Sequence, residues 1–441
     1  MKFNQWTLGL AALGVVSLAS AAKAEEKMNA VQAALSSTTI SGYVDTSVMW
    51  NPGDGNGSIA PVSFLNSSKA DGFNLNVVQL TVAKALDEAE WSSGYRADLW
   101  FGPDANLLGS QSVFSNSGKA STGDFAIRQA YVALRTPVGN GLDWKMGVFD
   151  TVLGYETLES GNNPNITHSY GFTIEPTTHT GLLATYRIND MLSVSAGVAN
   201  THGSAINERA HGPNTSSGET MAESYKAYMG SIAFTAPSDW GWASGSTLYG
   251  GVINGFSSSV GGEMLNLYLG GTLATPVTGL KLGVAFDYLT VDQAPSSADS
   301  IWTAGLYASY QASEKLSFHA RGEYLNGELP GDDLELYALT GTIQYDLWAN
   351  VISRLEIRWD HCAGPSGGTG VFGGSTSSGS AHPAGYTDGY WDGYYDGMYE
   401  TSSSYYDSYG ATGAFFSSLG SSPGANQKNA VLVALQVIYK F

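Results

Sequence analysis

Between Thr151 and Thr178 the chain carries Glu156, Glu159, His168 and Glu175, and no Lys or Arg. Carboxylates gathered on one segment draw cations toward it. Arg96, Arg321, Arg354 and Arg358 lie on alternating, strand-like stretches, with Lys440 near the end. An acidic segment opposite such a basic wall would set a transverse field across any water between them, and charged clusters of this kind sort ions. The plainer alternative makes Arg354, Glu356, Arg358 and Glu323 structural ion pairs in a wet interior, and both readings can hold together.

A second acidic array is Asp388-Gly, Asp392-Gly and Asp396-Gly, followed by Glu400. Its four-residue period does not match an EF-hand loop, which needs oxygens at alternate positions. Crowded aromatics there (Tyr386, Tyr390, Trp391, Tyr394) could stack on sugars. An acidic lid is the plainer reading. Catalytic constellations are not found: there is no His-Glu-x-x-His and no Gly-rich phosphate loop with Lys. His168 and His179 are too far apart for a local metal motif, and Cys362 has no sequence partner as a nucleophile. No catalytic residue, metal or cofactor is expected.

The chain has 441 residues, 20 Lys+Arg and 39 Asp+Glu, for a net charge of −19. Charged residues make up 13%, about half the globular norm of ~25%. The acidic balance argues against holding nucleic acid by phosphate neutralisation. One cysteine excludes an intramolecular disulfide scaffold. Abundant Gly (55) and Tyr (25) with few charges leave a β-rich protein, either secreted or set in a membrane.

The elements that must position these residues begin after a leader. Met1-Lys2, an apolar run from Trp6 to Leu18 and Ala22-Lys23-Ala24 have the form of a cleaved secretory signal over 1–24. The run is shorter than the ~20 residues a spanning helix needs. Cleavage after Ala24 would remove two lysines and no acid, taking the charge from −19 to −21. Residues 25–37 form a short segment of no readable role. From residue 38 to 441 the period is two. Leu316, Phe318, Ala320 and Tyr324 alternate with Ser317, His319, Arg321 and Glu323, and Leu355, Ile357 and Trp359 with Arg354, Glu356, Arg358 and Asp360. That is the signature of a strand with one apolar face.

Sixteen strands are expected, with segments 2, 4 and 8 alternating poorly. Connections after even-numbered strands are short, such as Pro137-Val-Gly-Asn140. Those after odd-numbered strands tend to be long, notably 150–178 and 361–427. An even count with alternating loop length fits an all-β, antiparallel, up-and-down transmembrane β-barrel. Sixteen strands enclose a lumen too wide for wall side chains to fill, so the polar face turns inward to water. Trp50, Phe101, Trp144, Tyr288, Tyr324, Tyr345 and Trp359 then form outward girdles. Val431, Val433, Leu435, Val437, Tyr439 and Phe441 share one face of the last strand. Tyr439 and Phe441 resemble the end of the insertion signal read by the barrel assembly machinery.

Ile127-Arg-Gln-Ala-Tyr131, Lys145-Met-Gly-Val-Phe-Asp150, Asn162-Asn-Pro-Asn-Ile-Thr-His-Ser-Tyr-Gly-Phe172 and Pro176-Thr-Thr-His-Thr-Gly-Leu182 resemble the OmpL-like β-barrel porin family over residues 40 to 200. The resemblance implies a barrel in outer-membrane lipid with channel activity, and no enzyme. By position, the loop from Thr151 to Thr178 is similar to the third extracellular loop of general porins, which folds into the lumen. Glu156, Glu159 and Glu175 with Arg96, Arg321, Arg354 and Arg358 are then the constriction candidates. The expected function is passive diffusion of small hydrophilic solutes with weak cation preference. The alternative is a surface adhesin or receptor using the last long loop. Resemblance to general porins also suggests a homotrimer.

Overall fold

Strict alternation puts the two side-chain rows of an extended chain on opposite faces, so each of these segments gains by pairing into one sheet with its apolar row turned the same way. The computed structural model describes residues 37–53, 59–110, 123–210, 224–257, 262–292, 299–329, 332–364, 371–373 and 427–441. The expected leader over 1–24, nearly all of the 25–37 segment and the Asp388–Glu400 array lie outside the described residues.

Sixteen strands form: β1 Thr39–Trp50, β2 Gly72–Lys84, β3 Ser93–Phe101, β4 Phe125–Thr136, β5 Leu142–Asp150, β6 Thr178–Arg187, β7 Leu192–Ala199 and β8 Ala227–Thr235 in the first half. The second half holds β9 Thr247–Ser257, β10 Gly262–Ala274, β11 Leu280–Asp292, β12 Asp299–Gln311, β13 Leu316–Leu329, β14 Asp332–Trp348, β15 Val351–Gly364 and β16 Asn429–Lys440. Each pairs antiparallel with its sequence neighbour, and β16 closes on β1. Closure removes both sheet edges, which a lipid environment requires because nothing there can satisfy open backbone groups.

Turns at one end are tight. β14 and β15 are joined by two residues, with Asn350 at φ +69°, a left-handed position that Asn tolerates. At the other end, residues 51–71 (loop L1), 102–124 (L2), 151–177 (L3) and 200–226 (L4) are long. The connections 258–261 and 330–331 at that end are short. The strands beside them run on: β13 reaches Leu329 and β15 reaches Gly364, because Asn326-Gly327 and His361-Cys362 keep pairing with β14.

The poor alternation of segments 2 and 4 has a physical cause. Register shifts opposite Asp45/Thr46 and opposite Asp98/Leu99 each insert one residue, Asn76 in β2 and Arg128 in β4. Such bulges re-aim side chains. Here they bury Asn76 beside Val77 and Arg128 beside Gln129. In β8 small residues occupy both faces, so little contrast is there to read.

The outer surface carries the apolar row, with Leu306, Leu339, Ile357 and Leu435 all exposed. Phe101 and Phe125, and Trp302, Tyr324 and Tyr337, pack as neighbouring rings near the long-loop end. The interior differs from a uniformly polar lumen. At the short-turn end, inward residues such as Lys145, Ser195, Ser231, Gln344 and Asp346 are half-buried and polar. Toward the long-loop end the inward row turns apolar. Leu289, Ile301, Leu325, Leu336 and Cys362 pack against Ala60 and Val62 of L1 and Tyr170 and Ile174 of L3. The wall alone cannot fill a sixteen-strand lumen, and here inward-folded loops do much of the filling.

Candidate functional site

L3 leaves β5 at Asp150 and crosses the barrel. Tyr249 Oη of β9 donates to Val152 O at 2.6 Å, and Leu153 lies against Gly251, where any side chain would clash with it. Tyr155 stacks on Tyr307 of β12, ring centroids 4.1 Å apart. Beyond this apolar leg, L3 exchanges polar contacts with the wall. The returning leg contains one helical turn, Tyr170–Ile174 (α2), capped by Ser169, whose hydroxyl accepts from Phe172 N at 3.0 Å.

Glu156 is buried and meets Arg321 of β13, with Nη1 to Oε1 at 2.8 Å. Its Oε2 accepts from Ser169 N and contacts His168 Nδ1, both at 3.0 Å. Burial works against the charged form, but Arg321, the His168 ring and the Ser169 amide outweigh it and hold the carboxyl at about 2. Glu159 meets Arg96 of β3 at 2.9 Å and Arg128 of β4 at 3.0 Å. Burial again opposes ionisation, and Arg128 and Arg96 hold this carboxyl at about 2 as well.

Arg321 and Arg358 also fasten the loop backbone. Arg321 Nη1 donates to Thr167 O at 2.7 Å, and Arg358 Nη1 to His168 O at 2.9 Å. Their charge is matched within the wall by Glu323 and Asp360. Both acids in turn take loop donors: Glu323 accepts from Tyr170 N and Asp360 from Tyr170 Oη, each at 2.6 Å. Glu356 accepts from Ile166 N at 2.6 Å and Thr167 N at 3.0 Å. Arg354 donates to Ser160 O at 2.8 Å, and Lys440 to Gly161 O at 3.2 Å. The loop is thus bound to inward side chains from β3 round to β16.

This geometry departs from a field across open water. Glu156 and Glu159 touch the arginines directly, and the ion pairs Arg321–Glu323 and Arg358–Asp360 form as well. Glu175 lies elsewhere, at the return to β6. It is buried and hydrogen-bonds Asp287 of β11. Sequence reasoning missed Arg128, hidden by the bulge, and did not count Asp98, Asp287 and Asp360, inward acids on their strands, among the site residues.

Glu175 carries a pH prediction. Burial, then Asp287 and Glu156, push its carboxyl well above the ordinary range. Two carboxyls in hydrogen-bond contact need a shared proton. The raised value means this contact contributes fully below the unfolded value of ~4.3 and is lost as pH rises through the folded one. Glu156 and Glu159 have the opposite sign: their contribution is present above ~4.3 and fades toward pH 2. Protease protection of L3 should therefore be greater at pH 5 than at pH 9, and Glu175→Gln should flatten that difference. Equal protection at both pH values in the unmodified protein would refute this.

Among the described residues no group of three His, Cys, Asp or Glu side chains is placed to hold a metal. The constellation binds a loop and orders charge within a barrel.

Residues 37–414 match the family model described as "Putative beta-barrel porin-2, OmpL-like". Similar solved structures include an anion-selective porin from Comamonas acidovorans, 10% identical at a TM-score of 0.56, with 92% of this chain and 99% of that one covered. The outer membrane channel DcaP of Acinetobacter baumannii is 10% identical at 0.54, covering 92% and 97%. Salmonella typhi OmpF, in complex with daunomycin, is 11% identical at 0.52, covering 92% and 97%. At such identities the likeness speaks for the fold. Comparison with curated proteins finds no match.

Proposed function

The chain belongs to the OmpL-like β-barrel porin family, and from that premise we propose a channel for passive diffusion of small hydrophilic solutes and ions, narrowed by L3. The supporting observation is the loop's chain of contacts with inward side chains of β3, β4 and β13 to β16. A loop anchored this way narrows a passage without closing the polar half at the short turns. In this reading Glu156, Glu159, Arg96, Arg321 and Arg358 act chiefly as fasteners, and Arg354 and Glu175 hold the tip and the return leg. Insertion of the signal-bearing chain into outer-membrane lipid by the barrel assembly machinery, and assembly as a homotrimer, belong to the same proposal. Single-channel current after reconstitution in a planar bilayer tests it, and a folded barrel that passes no current would refute it.

Charge preference follows from which groups stay unpaired. The net charge of −19 leaves acids in excess. Exposed charges act over a Debye length of about 10 Å at 0.1 M salt. We expect weak cation preference that declines as salt rises. Glu156 and Glu159 neutralise arginines at contact, so changing both to Gln should alter conductance by loosening L3 and, with Arg96, Arg128 and Arg321 left short of counter-charge, move the reversal potential toward anions. Reversal potentials under a KCl gradient check this; anion preference in the unmodified channel would overturn it.

A further inference from the structure

We infer that solutes pass L3 through a small hollow where L1, L2 and L3 meet the β16–β1–β2 wall, and that the Lys69–Asp104 ion pair between L1 and L2 sets its width. This rests on the channel reading above. Elsewhere at the level of L3, the described interior is packed, in part by the buried ion pairs of Arg96, Arg128, Arg321 and Arg358 and in part by apolar side chains. Phe149, Val152, Leu153, Leu183, Ile253 and Tyr268 form one packed cluster on the β4–β10 side. Leu289, Leu325, Leu336, Tyr170 and Ile174 form another along β11–β14. Apolar constrictions dewet and stop hydrated solutes.

The hollow is different. Its volume is about 30 Å³ and its lining is mixed: Asp45, Asn76 and Gln436 of the wall, Ser63 and Lys69 of L1 and Asp104 of L2 supply the polar groups, among apolar neighbours such as Trp100 and Leu158. Asp45 accepts from both Asn76 and Gln436, so the wall side is a fixed polar row. Ser63 Oγ is buried and has no hydrogen-bond partner. A buried hydroxyl with no protein partner calls for water, and a polar space of this size holds about one. The passage is therefore wettable and tight.

What keeps it tight is an inter-loop contact. Lys69 Nζ lies 2.5 Å from Asp104 Oδ1, and both residues are buried. Asp104 stands on the helical turn Pro103–Leu107 (α1), whose Ala105 packs with Leu108, Phe64 of L1 and Phe172 of L3. The pair ties two loops across the hollow, so losing it lets them part.

The test uses the full-length barrel with Cys362→Ala and Ser63→Cys, shown to be folded by heat-modifiable migration. Asn76→Cys serves if the first variant does not fold. KCl current through single channels is recorded while a negatively charged methanethiosulfonate is added. The expected result is a stepwise, irreversible loss of most of the current. Lys69→Ala should raise the conductance severalfold. If the introduced thiol does not react, or reacts without changing the current, the route is wrong. If Lys69→Ala leaves conductance unchanged, the latch is wrong. A parent channel that never conducts would instead refute the porin reading itself.

Discussion

Replacing Arg321 with methionine should release L3 from the wall while leaving the barrel closed. The guanidinium is fully buried and holds Glu156, Glu323, Thr167 O and His168 O at once. Methionine fills similar space without charge, leaving the buried Glu156 without its arginine and Glu323 with Arg358 alone. Removing one partner of a buried pair costs about 3–5 kcal/mol. β13 keeps its ladders to β12 and β14, which do not depend on this side chain. The cost therefore falls on the loop. Single-channel current should become larger and noisier, and the segment around Thr167 should become open to protease in the folded barrel. Arg321→Lys should fall between, because an ammonium keeps the charge and loses the fork geometry that spans carboxylate and carbonyls. A methionine variant with unchanged current and protection would mean that L3 is held by its apolar leg alone.

The second large effect is expected at the last strand. Tyr439 and Phe441 lie on the outward row, each half exposed, and Phe441 exchanges both backbone hydrogen bonds with Gly42. Changing both rings to Ser, or deleting Phe441, should leave the chain unfolded before insertion, with outer-membrane yield reduced to near zero. The purified variant, refolded in detergent, should still show heat-modifiable migration, because outward rings contribute little to β16 pairing. Unchanged outer-membrane yield would show that these rings do not serve as an insertion signal.

Most strands were legible because one face meets lipid, which demands an apolar residue at every second position whatever the neighbouring strand is. Even strands 2 and 4, where alternation breaks, were locatable, and the breaks mark Asn76 and Arg128. The site was legible in part. Glu156, Glu159, Arg96, Arg321, Arg354 and Arg358 could be singled out as charges on a loop and on inward rows. Who meets whom could not: Arg321 and Glu156 are 165 residues apart, and nothing local to either encodes the pairing. The Lys69–Asp104 pair, 35 residues apart, was hidden for the same reason. Glu175 shared a segment with Glu156, yet the helical turn at Tyr170–Ile174 carries it to a different wall.

The ladder between β1 and β16, running from Tyr43↔Lys440 to Trp50↔Val433, joins the earliest and latest strands of the described chain. Every other neighbouring pair is consecutive in sequence, most of them joined by connections of under 30 residues, with β15 and β16 separated by residues 365–428. Like the β15–β16 ladder, this seam cannot form until the last strand has been made, and it alone joins strands that are not consecutive in sequence, so topology places closure last. Until then β1 keeps one open edge with Val44, Val48 and Trp50 on its apolar row, a template for the same strand of another copy. The barrel's final stability thus comes with a waiting period in which self-association competes with closure. That competition, more than any weakness of the finished fold, sets how much of the chain is lost to aggregation at a given rate of synthesis.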